Sequence, residues 1–270
     1  MNDTNKDMVT NITEAITAVD ANETLMNEAT TTVKLPSNGL MNPEVTQVTL
    51  KRMTTQQTKT LYTSKDPNFL TSLIKGCIVS PVNFSLNDLH PNDVIYLCFM
   101  LRYISSPKNL QQKVVCSECG NFYDTDVLIR DLKVNYSEYK ENLFKFKLED
   151  LGDTVTFKIL SEGEIQHCEQ IARRRSKQKN FSEEDTTWEI LLSKIAYMIQ
   201  SKNGEPFEDF EDKYKFISGL SAFDFESLNK EYTDVTESFG LVRKFMADCP
   251  KCGNSDEVEA YIAPDFFRLV

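Results

Sequence analysis

Two short motifs hold the residues best suited to chemistry, Val115-Cys116-Ser117-Glu118-Cys119-Gly120 and Asp248-Cys249-Pro250-Lys251-Cys252-Gly253. In a Cys-x-x-Cys-Gly knuckle two thiolates reach one metal ion from a tight turn. Amides inside the turn can hydrogen-bond the sulfurs, and the glycine permits the positive φ that closes it. Two knuckles supply four thiolates, a full tetrahedral shell, so the pattern points to one structural Zn²⁺ held by Cys116, Cys119, Cys249 and Cys252. Neither knuckle sits in a thioredoxin-like βαβ pattern, which counts against a redox pair; two disulfides or unligated thiols are the alternatives. The two pairs stand more than a hundred residues apart, against roughly 15 to 20 in the short-loop arrangement. The residues between them must therefore fold as an insertion whose ends lie close together.

Other chemistry is scarce. The chain has two histidines. His90 precedes a proline at a helix entrance, where a capping role is expected, and His167 lies within a helical pattern with no ligand partner in sequence. A closed four-cysteine shell leaves no open position for a catalytic zinc. No His-Glu-x-x-His helix, Gly-x-Ser-x-Gly elbow or glycine-rich phosphate loop occurs, so no enzymatic activity, catalytic residue or small-molecule substrate is expected. Cys77, Cys98 and Cys168 lie in apolar or helical settings and read as core residues.

The formal charge is −11; four thiolates subtract four and a dication returns two, giving −13. That field repels a phosphate backbone. The one basic cluster, Arg173-Arg174-Arg175 with Lys177 and Lys179, has no interleaved aromatic platform and reads as the solvated end of a helix. No apolar run approaches the length of a membrane span, and the N-terminus has neither the basic start nor the apolar block of a signal peptide.

The elements that must position the cysteines follow an α+β pattern. Residues 1–30 are polar and thinly apolar, and are expected to be disordered alone or ordered by a partner. Region 31–110 reads as a small hairpin, Thr32–Leu35 with Val45–Met53, followed by helices from Thr54, from Asn68 to Cys77, and from about Val94 to Ile104. The last is apolar on most sides and should be buried. Region 111–270 reads as a split zinc-ribbon-like β unit carrying an insertion at 135–245. A strand is expected over 124–134, and a hairpin of Phe144–Leu148 with Val155–Ile159 beside the first knuckle. Helices capped near Ser161, Ser182 and Ser221 come next, with Trp188 as a core anchor and a loop or short hairpin at Lys202–Pro206. A strand from Val258 to Phe267, broken at Pro264, should join the sheet that carries the first knuckle.

The order of parts resembles a known family. The LPSNG turn, LIKGCIVSP, the buried YLCFMLRYIS helix, KVVCSECG, DCPKCG and the terminal DFFRL are similar to the small baseplate hub and hub-assembly proteins of T4-like contractile-tailed bacteriophages. The resemblance runs from about Leu35 to the C-terminus. It implies a non-enzymatic protein of the virion tail, or of its assembly in the host cytoplasm, that binds other hub or tail components. It transfers no catalytic residues, only the four knuckle cysteines as ligands. On the residues alone, a zinc-ribbon accessory protein of viral transcription or nucleic-acid processing, or an enzyme with a structural zinc, stays open.

Overall fold

The computed structural model describes residues 9–11, 16–17, 30–63, 69–82, 84–106, 109–262 and 266–267. Among these it is α+β, with seven helices and several small antiparallel sheets. Of the stretch 1–29 only two short strands are described, β1 (Val9–Asn11) and β2 (Ile16–Thr17). The rest of the segment expected to be disordered or partner-ordered lies outside the described residues. β3 (Thr30–Lys34) pairs with β4 (Gln47–Lys51), Val33 opposite Val48. Val33, Val48 and Leu50 are buried while their neighbours are not, as period-two alternation requires. α1 (Thr55–Thr63) starts at a reciprocal cap: the Thr54 hydroxyl accepts from the Gln57 amide, and the Gln57 side chain accepts from the Thr54 amide. α2 (Phe69–Cys77) leads into β5 (Ile78–Ser80), completing a sheet ordered β2-β3-β4-β5.

α3 (Pro91–Ser105) is the axis of the first core. His90 caps it, its Nδ1 accepting from the Asn92 amide at 3.2 Å, and Pro91 at the first position loses no hydrogen bond. Every residue from Tyr96 to Arg102 is buried, because β-structure packs on one side and the C-terminal aromatics on another. Phe266 meets Phe99 edge-on at 4.9 Å, and Arg102 Nε donates to the Phe266 carbonyl at 2.8 Å.

The first knuckle joins β6 (Leu110–Val115) to β7 (Phe122–Val127). The strand expected over 124–134 is broken by a 3-10 turn at Ile129–Asp131. Val127, Ile129, Leu132 and Val134 are all buried, and the three-residue step from 129 to 132 cannot be met by a straight strand. β8 (Lys133–Asn135) resumes as the middle of a sheet that takes β1 on one side and Gly240–Val242 on the other.

The insertion builds a second core. β9 (Phe144–Lys147) and β10 (Thr154–Phe157) form the expected hairpin, but it belongs to this core's sheet. α4 (Glu162–Lys179) and α5 (Glu183–Met198) follow, with capping boxes at Ser161 and Ser182. β11 (Ile199–Lys202) and β12 (Glu205–Pro206) then form a hairpin around Asn203 and Gly204, whose φ values of 52° and 86° suit a two-residue type I′ loop. α6 (Phe210–Ser218) and α7 (Ala222–Glu237) complete the lobe, capped by Asp209 and Ser221. Its sheet runs β12-β11-β10-β9, with Phe157, Cys168, Ile195, Met198 and Leu228 buried together. Trp188, expected as a core anchor, is 53% exposed. The inward slot at that turn is taken by Glu189, which accepts from the Tyr214 hydroxyl at 2.7 Å and faces Arg175 at 3.7 Å.

The chain returns through β13 (Gly240–Val242), then forms β14 (Lys244–Asp248) and β15 (Ser255–Glu259) around the second knuckle. The expected terminal strand on the first knuckle's sheet is not what forms. Ser255–Glu259 pairs with its own hairpin partner β14, and Phe266 and Phe267 bury against α3 instead. The reason is local: a knuckle turn returns the chain antiparallel to the strand that entered it.

The two cores meet at the N-terminus of α3. The Asn92 side-chain amide donates to the carbonyls of Thr236 and Phe239, each at 2.8 Å. His90 meets Phe239 edge-on at 4.9 Å, and the Glu162 amide donates to the Leu89 carbonyl at 2.8 Å. Asp93, fully buried, accepts from the Ser37 amide at 2.9 Å and so fixes the LPSNG turn. Burial lowers the His90 pKa to about 3 and pushes Asp93 up to about 6, the latter against the hydrogen bonds from Ser37.

Candidate metal centre

Each knuckle is the tip of a hairpin, and the two tips have the same backbone. Cys116 N–H donates to Asn121 O at 2.9 Å and Gly120 N–H to Cys116 O at 3.0 Å. Cys249 N–H donates to Asn254 O at 2.8 Å and Gly253 N–H to Cys249 O at 2.9 Å. Gly120 and Gly253 adopt φ of 66° and 75°, with open space where a Cβ would stand. Conformation, and not a close neighbour, therefore favours glycine at both positions.

The structure brings the four expected residues together. Their Sγ atoms all lie within 4.8 Å of one another. The short contacts cross between knuckles, Cys116 to Cys252 at 3.6 Å and Cys119 to Cys249 at 3.7 Å. A tetrahedron of sulfurs about 2.3 Å from a central ion has edges of about 3.8 Å, so the spacing and the all-sulfur donor set fit such an ion. These separations are far longer than a disulfide bond, and all seven cysteines are free.

The electrostatics are those of sulfurs competing for charge. Burial opposes ionisation of Cys249, but the amides of Cys252 and Lys251 point at its sulfur and prevail, lowering its pKa to about 6. The Asn254 amide favours the Cys252 thiolate, yet Cys119, burial and the other sulfurs push it up to about 12. A cation among the four sulfurs would stabilise all of them as thiolates.

Sequence reasoning named the four cysteines that converge and missed the groups around them. Asp256, on β15, accepts from the Ser117 amide at 3.1 Å and from the Ser117 hydroxyl, which hold its carboxyl below the usual range. Asn254 donates to Asp256 at 2.9 Å and approaches Cys116 Sγ at 3.9 Å. Tyr123 donates to the Ala247 carbonyl at 3.2 Å. Gln112 reaches across to Glu259 O at 2.7 Å and accepts from the Tyr261 amide at 3.2 Å. The one available signal was the Asn that follows the glycine in both knuckles; the rest are contacts between distant segments that no local pattern announces.

Neither histidine approaches the centre: His90 caps α3 and the exposed His167 meets Tyr197 edge-on. Of the basic cluster, Arg175 is committed to Glu189 and Glu211 and lies over the Tyr214 ring, while Arg173 and Arg174 are exposed. Among the described residues, the lining of a cavity of about 520 Å³ near Arg52, Tyr103 and Arg130 has no carboxylate, thiol or imidazole. Among the described residues no helix is long and apolar enough to cross a membrane.

Compared with known proteins, the chain matches the family model described as T4 bacteriophage base plate protein over residues 26–268. No curated protein and no solved structure matches it.

Proposed function

The chain belongs to the T4 bacteriophage base plate protein family, and we propose from that premise that it is a non-enzymatic hub or hub-assembly component stabilised by a structural tetrathiolate zinc. Family membership makes it a virion tail component that meets other phage tail proteins. Placement in the hub, and a period in the host cytoplasm during assembly, belong to the proposal. The observation that carries the reading is the convergence of Cys116, Cys119, Cys249 and Cys252 within a chain matched over nearly its whole length.

In this reading Cys116, Cys119, Cys249 and Cys252 hold the ion, and the ion supplies cross-linking energy and no reaction. Binding free energy at such a site is folding free energy, because the unfolded chain has no preformed site. Asp256, Ser117 and Asn254 orient the first knuckle against the second, and Gln112 repeats the connection further down the hairpins. The alternative of a nucleic-acid accessory protein draws little support, since the chain is acidic and Arg175 is held by carboxylates.

Metal analysis of the purified chain, with quantitative mass spectrometry of purified tails and tail-assembly intermediates, tests both parts. One zinc per chain and the chain's presence among hub proteins are expected. A metal-free chain that melts like the metal-loaded one would overturn the clamp. Recovery with a polymerase or nuclease, and absence from every tail fraction, would overturn the hub.

A further inference from the structure

The first turn of α7 gathers exposed apolar groups from three elements. Phe223 on α7 is 57% exposed, Trp188 on α5 is 53% exposed, and Leu151 in the turn between β9 and β10 is 51% exposed. They are fixed relative to one another. The buried Asp224 carboxylate accepts from the Asp150 and Leu151 amides at 3.1 and 3.0 Å, and the Ser221 hydroxyl donates to Asp150 at 2.6 Å. The Trp188 ring meets the nearly buried Phe225 at 5.3 Å. Large apolar groups on a rigid frame lose little entropy when covered, and tryptophan is prominent among residues that dominate interfaces.

The exposed charges on the segments that carry these groups have one sign, with Lys147 standing two residues before Glu149. On segments 149–152, 183–188 and 221–227 the exposed charged residues are Glu149, Asp150, Glu183, Glu184, Asp185 and Glu226, with no lysine or arginine. A second copy presenting this same face would bring acid against acid, and a phosphate backbone would be repelled in the same way. An aliphatic or aromatic side chain flanked by lysine or arginine is complementary to both the apolar centre and the acidic rim.

We propose that this end of the insertion lobe is a docking surface for a cationic segment of another tail protein. The proposal rests on the base plate reading and adds to it which face is used and the chemistry of the partner.

The test uses phage lacking this chain, complemented with the full-length protein or its variants, and counts copies in purified tails and assembly intermediates. Trp188→Ala with Phe223→Ala should lower incorporation about tenfold or more, and Glu184→Lys with Glu226→Lys should lower it as well. The charge variant should melt close to the parent, and the alanine variant somewhat lower because Trp188 packs on Phe225, with both folded at the temperature of assembly. A benzophenone amino acid at position 223 should cross-link to an apolar segment of another tail protein flanked by lysine or arginine. Normal incorporation of both variants would overturn the proposal, as would cross-links to a second copy, to nucleic acid or to an acidic segment. If the parent itself is absent from tails and intermediates, it is the base plate reading that fails.

Discussion

The ribbon and the insertion are stabilised in opposite ways. The ribbon joins segments distant in sequence: Gln112 to Glu259, Ser117 to Asp256, Tyr123 to Ala247 and the cysteines of the two knuckles. Its strands are short and its exposed faces carry Phe122 and Met246, so its hairpins bury little by themselves. The insertion is built from locally capped helices on a four-stranded sheet with a core of its own. The contrast teaches that a long chain can divide its labour, with side-chain contacts between distant segments where the core is thin and packing where it is not.

The strongest way to break that contrast is to remove a ligand. Cys116→Ser or Cys249→Ser should destabilise the ribbon by several kcal/mol and abolish assembly. Hydrogen exchange should show loss of protection in β6, β7, β14 and β15 while α4 and α5 stay protected. Equal loss in both regions would mean that the two units unfold as one.

The seam between the α3 core and the insertion carries two groups whose pKa shifts oppose each other. Asp93 has a folded pKa of about 6 against an ordinary 3.8, so the stability linked to its proton is present below 3.8 and lost as pH rises through 6. His90 runs the other way, at about 3 against 6.5, and its contribution is lost as pH falls from 6.5 towards 3. The two oppose each other between about pH 4 and pH 6. Asp93→Asn keeps an acceptor for Ser37 and removes one side of this balance. Relative to the parent, the variant should lose about 2 kcal/mol of stability as pH falls from 6 to 4. Parallel denaturation profiles would show that Asp93 does not titrate in that window.

Asp224→Ala sharpens the comparison from the insertion's side. It leaves the Asp150 and Leu151 amides without their acceptor, and should cost about 2 kcal/mol in urea denaturation with metal content unchanged. Loss of metal in this variant would couple the lobes more tightly than the seam contacts imply. The smallest effect should come from Gly120→Ala or Gly253→Ala, about 1 to 2 kcal/mol each and of similar size, since both glycines have positive φ and neither meets a neighbour. Sharply different costs would show that the two tips are not equivalent.

The four-cysteine cluster was legible because each pair is a local pattern: Cys-x-x-Cys-Gly specifies a turn, and two such turns offer four sulfurs. The helix starts were legible for the same reason, as Ser161, Ser182 and Ser221 satisfy amides three residues on. What escaped depends on which surface meets which. Trp188 has the spacing of a core residue, but Glu189 takes the inward position because Arg175 and Tyr214, far along the chain, receive its carboxylate. The break at Ile129–Asp131 was written in the three-residue step between Ile129 and Leu132, yet a β-rich run masks such a step until the core it serves is known. The terminal Phe266 and Phe267 were apolar enough for a strand, and only the packing around Phe99 assigns them to α3.

One pairing sets how separable the parts are. Asn135 and Gly240 stand opposite each other as register partners in neighbouring antiparallel strands. In topological terms β8 and β13 form an ordinary hairpin whose loop has grown into a lobe. Antiparallel neighbours of this kind can be closed by a two-residue turn. The lobe is thus inserted at a single pair of adjacent backbone positions, while Asn92 and the buried Leu40, both outside it, fasten it to the rest of the chain.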